Sequence, residues 1–106
     1  MPQQPCAFGV LAVQGYLDVR STRRVRDELY ALMAVHDRVV VDLAEVDAVD
    51  LTGLRVLAAA TRYAEHRGRQ VVLRDPAPGV RRLLHVSRLA RAVRVEAPRS
   101  PLADLA

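Results

Sequence analysis

"VVVDLAEVDAVDLTGLRVLAAATRYAEHRG", Val39 to Gly68, decides the fold of this chain. The valine run Val39 to Val41 reads as the start of a central strand, Val39 to Leu43, covered on both faces. The acids Asp42, Glu45, Asp47 and Asp50 then read as an acidic loop. From Thr52 apolar residues recur at helical spacing until Arg67, and Gly68 ends the run. That helix places Leu54, Leu57, Ala58, Thr61 and Ala64 on its inward stripe. It opens at Asp50-Leu51-Thr52-Gly53, which sets a hydroxyl in the first turn. Unsatisfied N–H groups and the helix dipole favour negative charge there.

Working outward, "AFGVLAVQGYLD", Ala7 to Asp18, has strand composition broken at Gln14-Gly15, which suggests an antiparallel pair or a strand with a turn. Ser21 or Thr22 then caps a helix whose apolar positions Val25, Leu29, Leu32, Met33 and His36 keep the 3.6 period. After Gly68, Gln70 to Arg74 reads as a strand, "DPAPG" as a turn, about Val80 to Ser87 as a helix and Ala92 to Val95 as a final strand. Pro98 and Pro101 limit the C-terminal end to a short tail or helix. Strands and helices that alternate over such short connections pair in parallel with right-handed crossovers. The expectation is a single α/β domain with a mixed, largely parallel β-sheet of about five strands and about three to four helices. Its core covers about residues 7–96, with a short C-terminal tail or helix over 97–106.

Composition narrows the function. A chain of 106 residues with 51% apolar content suits one compact domain, long enough to bury roughly two-thirds of its unfolded surface. No apolar run approaches the ~20 residues of a membrane span, and the N-terminus lacks a basic region followed by an apolar run. A soluble cytoplasmic protein without membrane insertion is expected. Cys6 is the only cysteine, which excludes an internal disulfide and a thiolate metal cage. The formal charge is +4 and every one of the 16 basic residues is arginine. They are scattered among 12 acids rather than gathered in one run, so a solvated surface is expected and nucleic acid is an unlikely partner. The densest segment, Arg81, Arg82, Arg88, Arg91 and Arg94, keeps a basic patch for an acidic partner in view.

The absence of lysine excludes a Walker-type phosphate loop and Schiff-base chemistry. Asp42 closes an apolar strand as the acceptor of a response-regulator receiver would. Receivers also need an acidic pair after the first strand and a late lysine, and "FGVLAVQG" carries no acid. His36, His66 and His85 fall on different elements without ligand spacing, and the acids from Asp42 to Asp50 lack a phosphate-binding loop beside them. Ser21, Ser87 and Ser100 have no base and orienting group in the sequence pattern. No catalytic residue, metal or cofactor is expected.

The order of elements, with "GYLD" after the first strand, "VVVDLAEVDAVDLTGLRVL" and "GRQVVLRDPAPGVRRLLHVSRL", resembles the STAS domain, the module of anti-sigma factor antagonists and of sulphate-transporter tails. The resemblance covers about Ala7 to Glu96. It implies that Asp50-Leu51-Thr52-Gly53 corresponds to a stretch of an aspartate, two hydroxyl residues and a glycine, whose second hydroxyl is phosphorylated by a kinase that is also the anti-sigma factor. Thr52 occupies that place and keeps the acceptor chemistry. Leu51 replaces the first hydroxyl with an apolar side chain, which points to a different partner or to a module regulated in another way. Asp18 in "GYLD" corresponds to a frequent family position near this loop.

The resemblance therefore implies an anti-sigma factor antagonist that binds its kinase through Asp18, Asp50, Leu51, Thr52, Gly53, Arg55, Val56, Ala59 and Arg62. A phosphate at Thr52 brings about −1.5 to −2 charge and would disrupt the interface. Two readings stand at the helix start, since Asp50 or Thr52 as an ordinary cap explains the same residues. Likewise Thr52, Val56, Ala59 and Tyr63 share one stripe flanked by Arg55 and Arg62, and the edge of the core accounts for Val56 and Tyr63 as well as a partner surface does. A regulatory subunit of a transport complex and a basic nucleotide- or nucleic-acid-binding module remain as alternatives. The oligomeric state is undetermined by the sequence.

Overall fold

The computed structural model describes residues 8–96. In chain order these form β1 (Phe8–Leu17), α1 (Thr22–Val35), β2 (Arg38–Val49), α2 (Leu51–His66), β3 (Gln70–Arg74), α3 (Pro78–Val86) and a 3-10 turn at Leu89–Ala92. The strands make one sheet in the order β1-β2-β3, and both pairings are parallel. Because spatial order follows chain order, two right-handed crossovers must leave α1 and α2 on the same face of the sheet. One core cluster indeed joins Val25, Leu29 and Met33 of α1 to Leu54, Leu57 and Ala60 of α2 and to Val39, Val41, Val71 and Leu73 of the sheet. Val80 and Leu84 of α3 complete that layer.

The sheet is smaller than the expected five strands and, among the described residues, contains no antiparallel pairing. The expected final strand Ala92 to Val95 is instead the end of the 3-10 turn followed by a single parallel bridge between Leu73 and Val95. Glu96 N–H donates to Leu73 O at 2.8 Å, so the segment still lies along the edge of β3. The tail or helix expected over 97–106, and the Ala7 start of the first strand, lie outside the described residues.

Gln14-Gly15 does not split β1. The register with β2 slips twice, between Ala12 and Gln14 and between Gly15 and Tyr16, and each time β2 contributes the extra residue. Inward positions on β1 keep period two at Val13, Gly15 and Leu17, while on β2 the inward side chains fall at Leu43, Val46 and Val49, three apart. These are β-bulges on β2, and opposite the second of them Gly15 of β1 has a positive φ of 77°, open to glycine. The stretch expected as an acidic loop is therefore strand as far as Val49.

On the opposite face, alternation puts Arg38, Val40 and Asp42 of β2 beside Gln70, Val72 and Arg74 of β3. Val40 and Val72 are buried there. Glu96 spans the two strands, with its carboxylate 2.9 Å from Arg74 Nε and 3.5 Å from an Arg38 terminal nitrogen. The Arg74 guanidinium is held above its ordinary range by this hydrogen bond and stays charged. No helix among the described residues is long and apolar enough to cross a membrane.

Candidate functional site

The C-terminal ends of β1 and β2 and the start of α2 meet at one corner of the domain. Asp50 leaves β2 in extended conformation, its N–H donating to Leu17 O at 3.1 Å. Its carboxylate accepts from Gly53 N–H at 2.8 Å. This is an N-cap bond, so Asp50 and not Thr52 caps the helix. Gly53 is needed for close approach: a Cβ there would sit 2.8 Å from both Leu17 Cγ and Leu17 O and 3.0 Å from Val49 Cγ2. The first turn of α2 is thereby seated directly on the end of β1.

The residue after Leu17 is Asp18, which organises the following turn. Its carboxylate accepts from Arg20 N–H at 2.9 Å, and its carbonyl accepts from the N–H groups of Ser21 and Thr22, each at 3.0 Å. Ser21 precedes α1 without a side-chain cap bond. Its hydroxyl accepts from Asp18 N–H at 3.1 Å and donates to Tyr16 O at 2.9 Å, which ties the turn to β1 instead. Asp18 and the cap of α2 are thus positioned by one shared residue, Leu17.

Thr52 lies in the first turn of α2, exposed, and its hydroxyl has no hydrogen-bond partner among the described residues. Leu51 beside it is 38% exposed. Two further apolar residues flank Leu17-Asp18 in the chain and are exposed, Tyr16 at 63% and Val19 at 68%, Tyr16 on the face of the sheet away from α2. Sequence reasoning passed over both. The available signal was the apolar pair flanking Leu17-Asp18, where an unengaged turn would carry polar residues.

Further along α2, Arg55, Ala59 and Arg62 are exposed and Val56 is half-buried. Tyr63 leaves this stripe: its ring meets Tyr30 of α1 edge-on with centroids 5.0 Å apart, and the Arg67 guanidinium lies 3.9 Å above it. It belongs to the seam between α1 and α2. The nine residues expected at a partner surface therefore divide into a corner (Asp18, Asp50, Leu51, Thr52 and the buried Gly53) and an outer face of α2 (Arg55, Val56, Ala59 and Arg62) that continues from it.

The other chemical groups do not converge. Asp42 accepts from Ala44 N–H at 3.0 Å, and among the described residues no group of three or more His, Cys, Asp and Glu side chains could hold a metal ion. His36 follows α1 and packs against Gly9, whereas His66 ends α2 and His85 lies in the last turn of α3.

A family model described as Mlab, STAS domain matches residues 2–96. An anti-sigma factor antagonist from Mycobacterium paratuberculosis is similar in structure at TM-score 0.74 and 21% identity, with 91% of this chain and 82% of that one covered. The anti-sigma factor antagonist SpoIIAA in its unphosphorylated form matches at TM-score 0.71 and 15% identity, covering 97% and 92%. SpoIIAA of Bacillus in its phosphorylated form matches at 0.64 and 15%, covering 92% and 89%. A sulfate transporter family protein from Wolinella succinogenes matches at 0.73 and 18%, covering 89% and 80%. No curated protein matches the sequence.

Proposed function

The chain belongs to the STAS domain family, and from that premise we propose that it is an anti-sigma factor antagonist. It binds an anti-sigma factor that is also a serine/threonine kinase, frees the sigma factor, and is switched off when that kinase phosphorylates Thr52. The observation that carries this reading is the Thr52 hydroxyl, exposed and without a partner in the first turn of a helix that Asp50 already caps. A phosphoryl group there meets the positive end of the helix dipole and displaces no hydrogen bond, so the fold accommodates it. The same group adds charge and bulk beside the exposed Leu51, where an apolar partner surface would have to desolvate it. ATP and the phosphotransfer chemistry belong to the kinase.

Leu51 and the likeness to a sulfate transporter family protein favour a second reading, a regulatory subunit docked on a transport complex. It uses the same corner without phosphorylation. Affinity capture from cells with phosphosite mapping tests both. Recovery of a kinase together with phosphate on Thr52 is expected. Recovery of a transporter component with Thr52 unmodified overturns the switch in favour of the second reading.

A further inference from the structure

The arginines of the described residues are not evenly placed once the chain is folded. A cleft of about 320 Å³ between α2 and the 3-10 turn is lined by Arg62, Glu65, Arg88, Arg91, Ala92 and Arg94. An adjoining depression of about 450 Å³ shares Arg88 and Arg91, which form the ridge between the two. Glu65, the one acid in the lining, is already taken: Arg94 Nε lies 3.0 Å from one of its oxygens, and an Arg94 terminal nitrogen donates to the other at 3.3 Å. Arg62, Arg88 and Arg91 are exposed and have no ion pair or side-chain hydrogen bond among the described residues. Three uncompensated guanidiniums thus border one cleft. Their mutual repulsion opposes folding, and an anion would relieve it.

The backbone at Arg88 adds an independent observation. Helix α3 ends at Ser87, and Arg88 follows with φ 64° and ψ 19°. This left-handed conformation after a helix end is the usual place of glycine, because a Cβ is unfavourable there. Arg88, like Asp75 at φ 52°, holds a positive φ without the freedom of glycine, so Arg88→Gly removes the guanidinium while relaxing the turn.

We infer that this cleft is a docking site for an acidic segment of a protein partner, one that presents successive Asp or Glu carboxylates to Arg62, Arg88 and Arg91. The planar guanidinium matches a carboxylate bidentately, and three of them on two elements suit several carboxylates in series. Nucleic acid fits less well, since no Phe, Tyr or Trp side chain lines either depression to stack successive bases and His85 is the single aromatic ring there. The cleft shares Arg62 with the outer face of α2 but takes no residue from the Thr52 corner, and it stands whether or not Thr52 is phosphorylated.

The test uses the full chain and a fluorescein-labelled octaglutamate peptide, followed by anisotropy at about 50 mM salt, where screening is weak. A mixed-sequence DNA duplex is titrated in parallel. Arg88→Gly is expected to hold or raise the melting temperature while weakening octaglutamate binding, and adding Arg91→Ala brings the loss to about three- to tenfold, as exposed pairs allow. Arg23→Ala/Arg24→Ala, which removes two exposed charges on α1, is expected to leave binding unchanged. Should Arg88→Gly melt early, Arg91→Ala alone carries the comparison. Absence of octaglutamate binding, an equal loss in the α1 control, or a duplex that binds more tightly than octaglutamate and depends on the same arginines would each overturn the assignment.

Discussion

Replacing Gly53 with alanine sets two well-measured effects against each other. Alanine is the better helix former by about 0.8–1 kcal/mol in a helix interior, so local propensity alone expects a more stable protein. The new Cβ, however, would lie 2.8 Å from Leu17 Cγ and from Leu17 O. That is about 0.7 Å short of the ~3.5 Å at which carbon atoms rest in contact. Neither neighbour yields easily: Leu17 is fully buried, and its carbonyl is held by Asp50 N–H. The first turn of α2 must lift from β1, at an overpacking cost of about 1–3 kcal/mol. The net expectation is a loss of up to about 2 kcal/mol, or a melting temperature lower by as much as roughly 16 °C for a domain of this size. Gly79→Ala is the matched control, because a Cβ at that position in α3 meets nothing within 4 Å. It should stabilise by up to about 1 kcal/mol through propensity alone. Urea titrations followed by far-UV circular dichroism read both variants. If Gly53→Ala were as stable as Gly79→Ala, with unchanged dependence on urea, α2 would not be seated on β1 as described.

Asp50→Ala should cost about 0.5–2 kcal/mol by removing the cap, whereas Thr52→Ala should stay within about 0.5 kcal/mol; equal losses in the same titrations would mean that the threonine shares the capping. Leu57→Ala, at a fully buried position, should cost about 2–5 kcal/mol against less than about 0.5 kcal/mol for Arg62→Ala; parity would mean that α2 presents a different face. Thr52→Glu should leave thermal melting nearly unchanged but weaken binding to the captured kinase by about 1–3 kcal/mol relative to Thr52→Ala; equal calorimetric affinities would remove the phospho-switch.

Parts of the molecule written in regular periods were legible in the sequence. Gln70–Arg74 is a strand with the bounds its flanking residues indicated, and the inward stripe of α2 is Leu54, Leu57, Ala58, Thr61 and Ala64 as read, with Gly53 and Ala60 added. Legibility failed where two extra residues break the period. Leu43, Val46 and Val49 stand three apart, a spacing that belongs to neither strand nor helix, so a bulged strand resembles a loop with acids in it. The site divides in a similar way. Thr52 and Asp50 announce themselves by residue type, but which of them caps is decided by the Gly53 N–H, and no local pattern reveals it. The choice for Tyr63 between partner surface and core edge is decided by Tyr30 and Arg67, which occupy one neighbouring helix and the end of its own. The clustering of Arg62 with Arg88 and Arg91 likewise depends on how the 3-10 turn folds back against α2.

The two bulges also make β2 a strand of adjustable length. In the Val39–Val41 segment, every residue is paired in alternating register on both sides, and removing one would turn each subsequent side chain to the opposite face. Between Asp42 and Val49 the pairing already contains two residues without a counterpart on β1. Loss of a single residue there collapses one bulge into regular strand and preserves the facing of everything beyond it. Reach is unchanged as well, because each residue beyond the collapsed bulge keeps its partner on β1 and Asp50 still meets the carbonyl of Leu17. Length changes are thus absorbed by geometry in the half of β2 next to the site, where loss of one residue leaves the exposed threonine in place relative to Asp18 and the sheet under the helices in register.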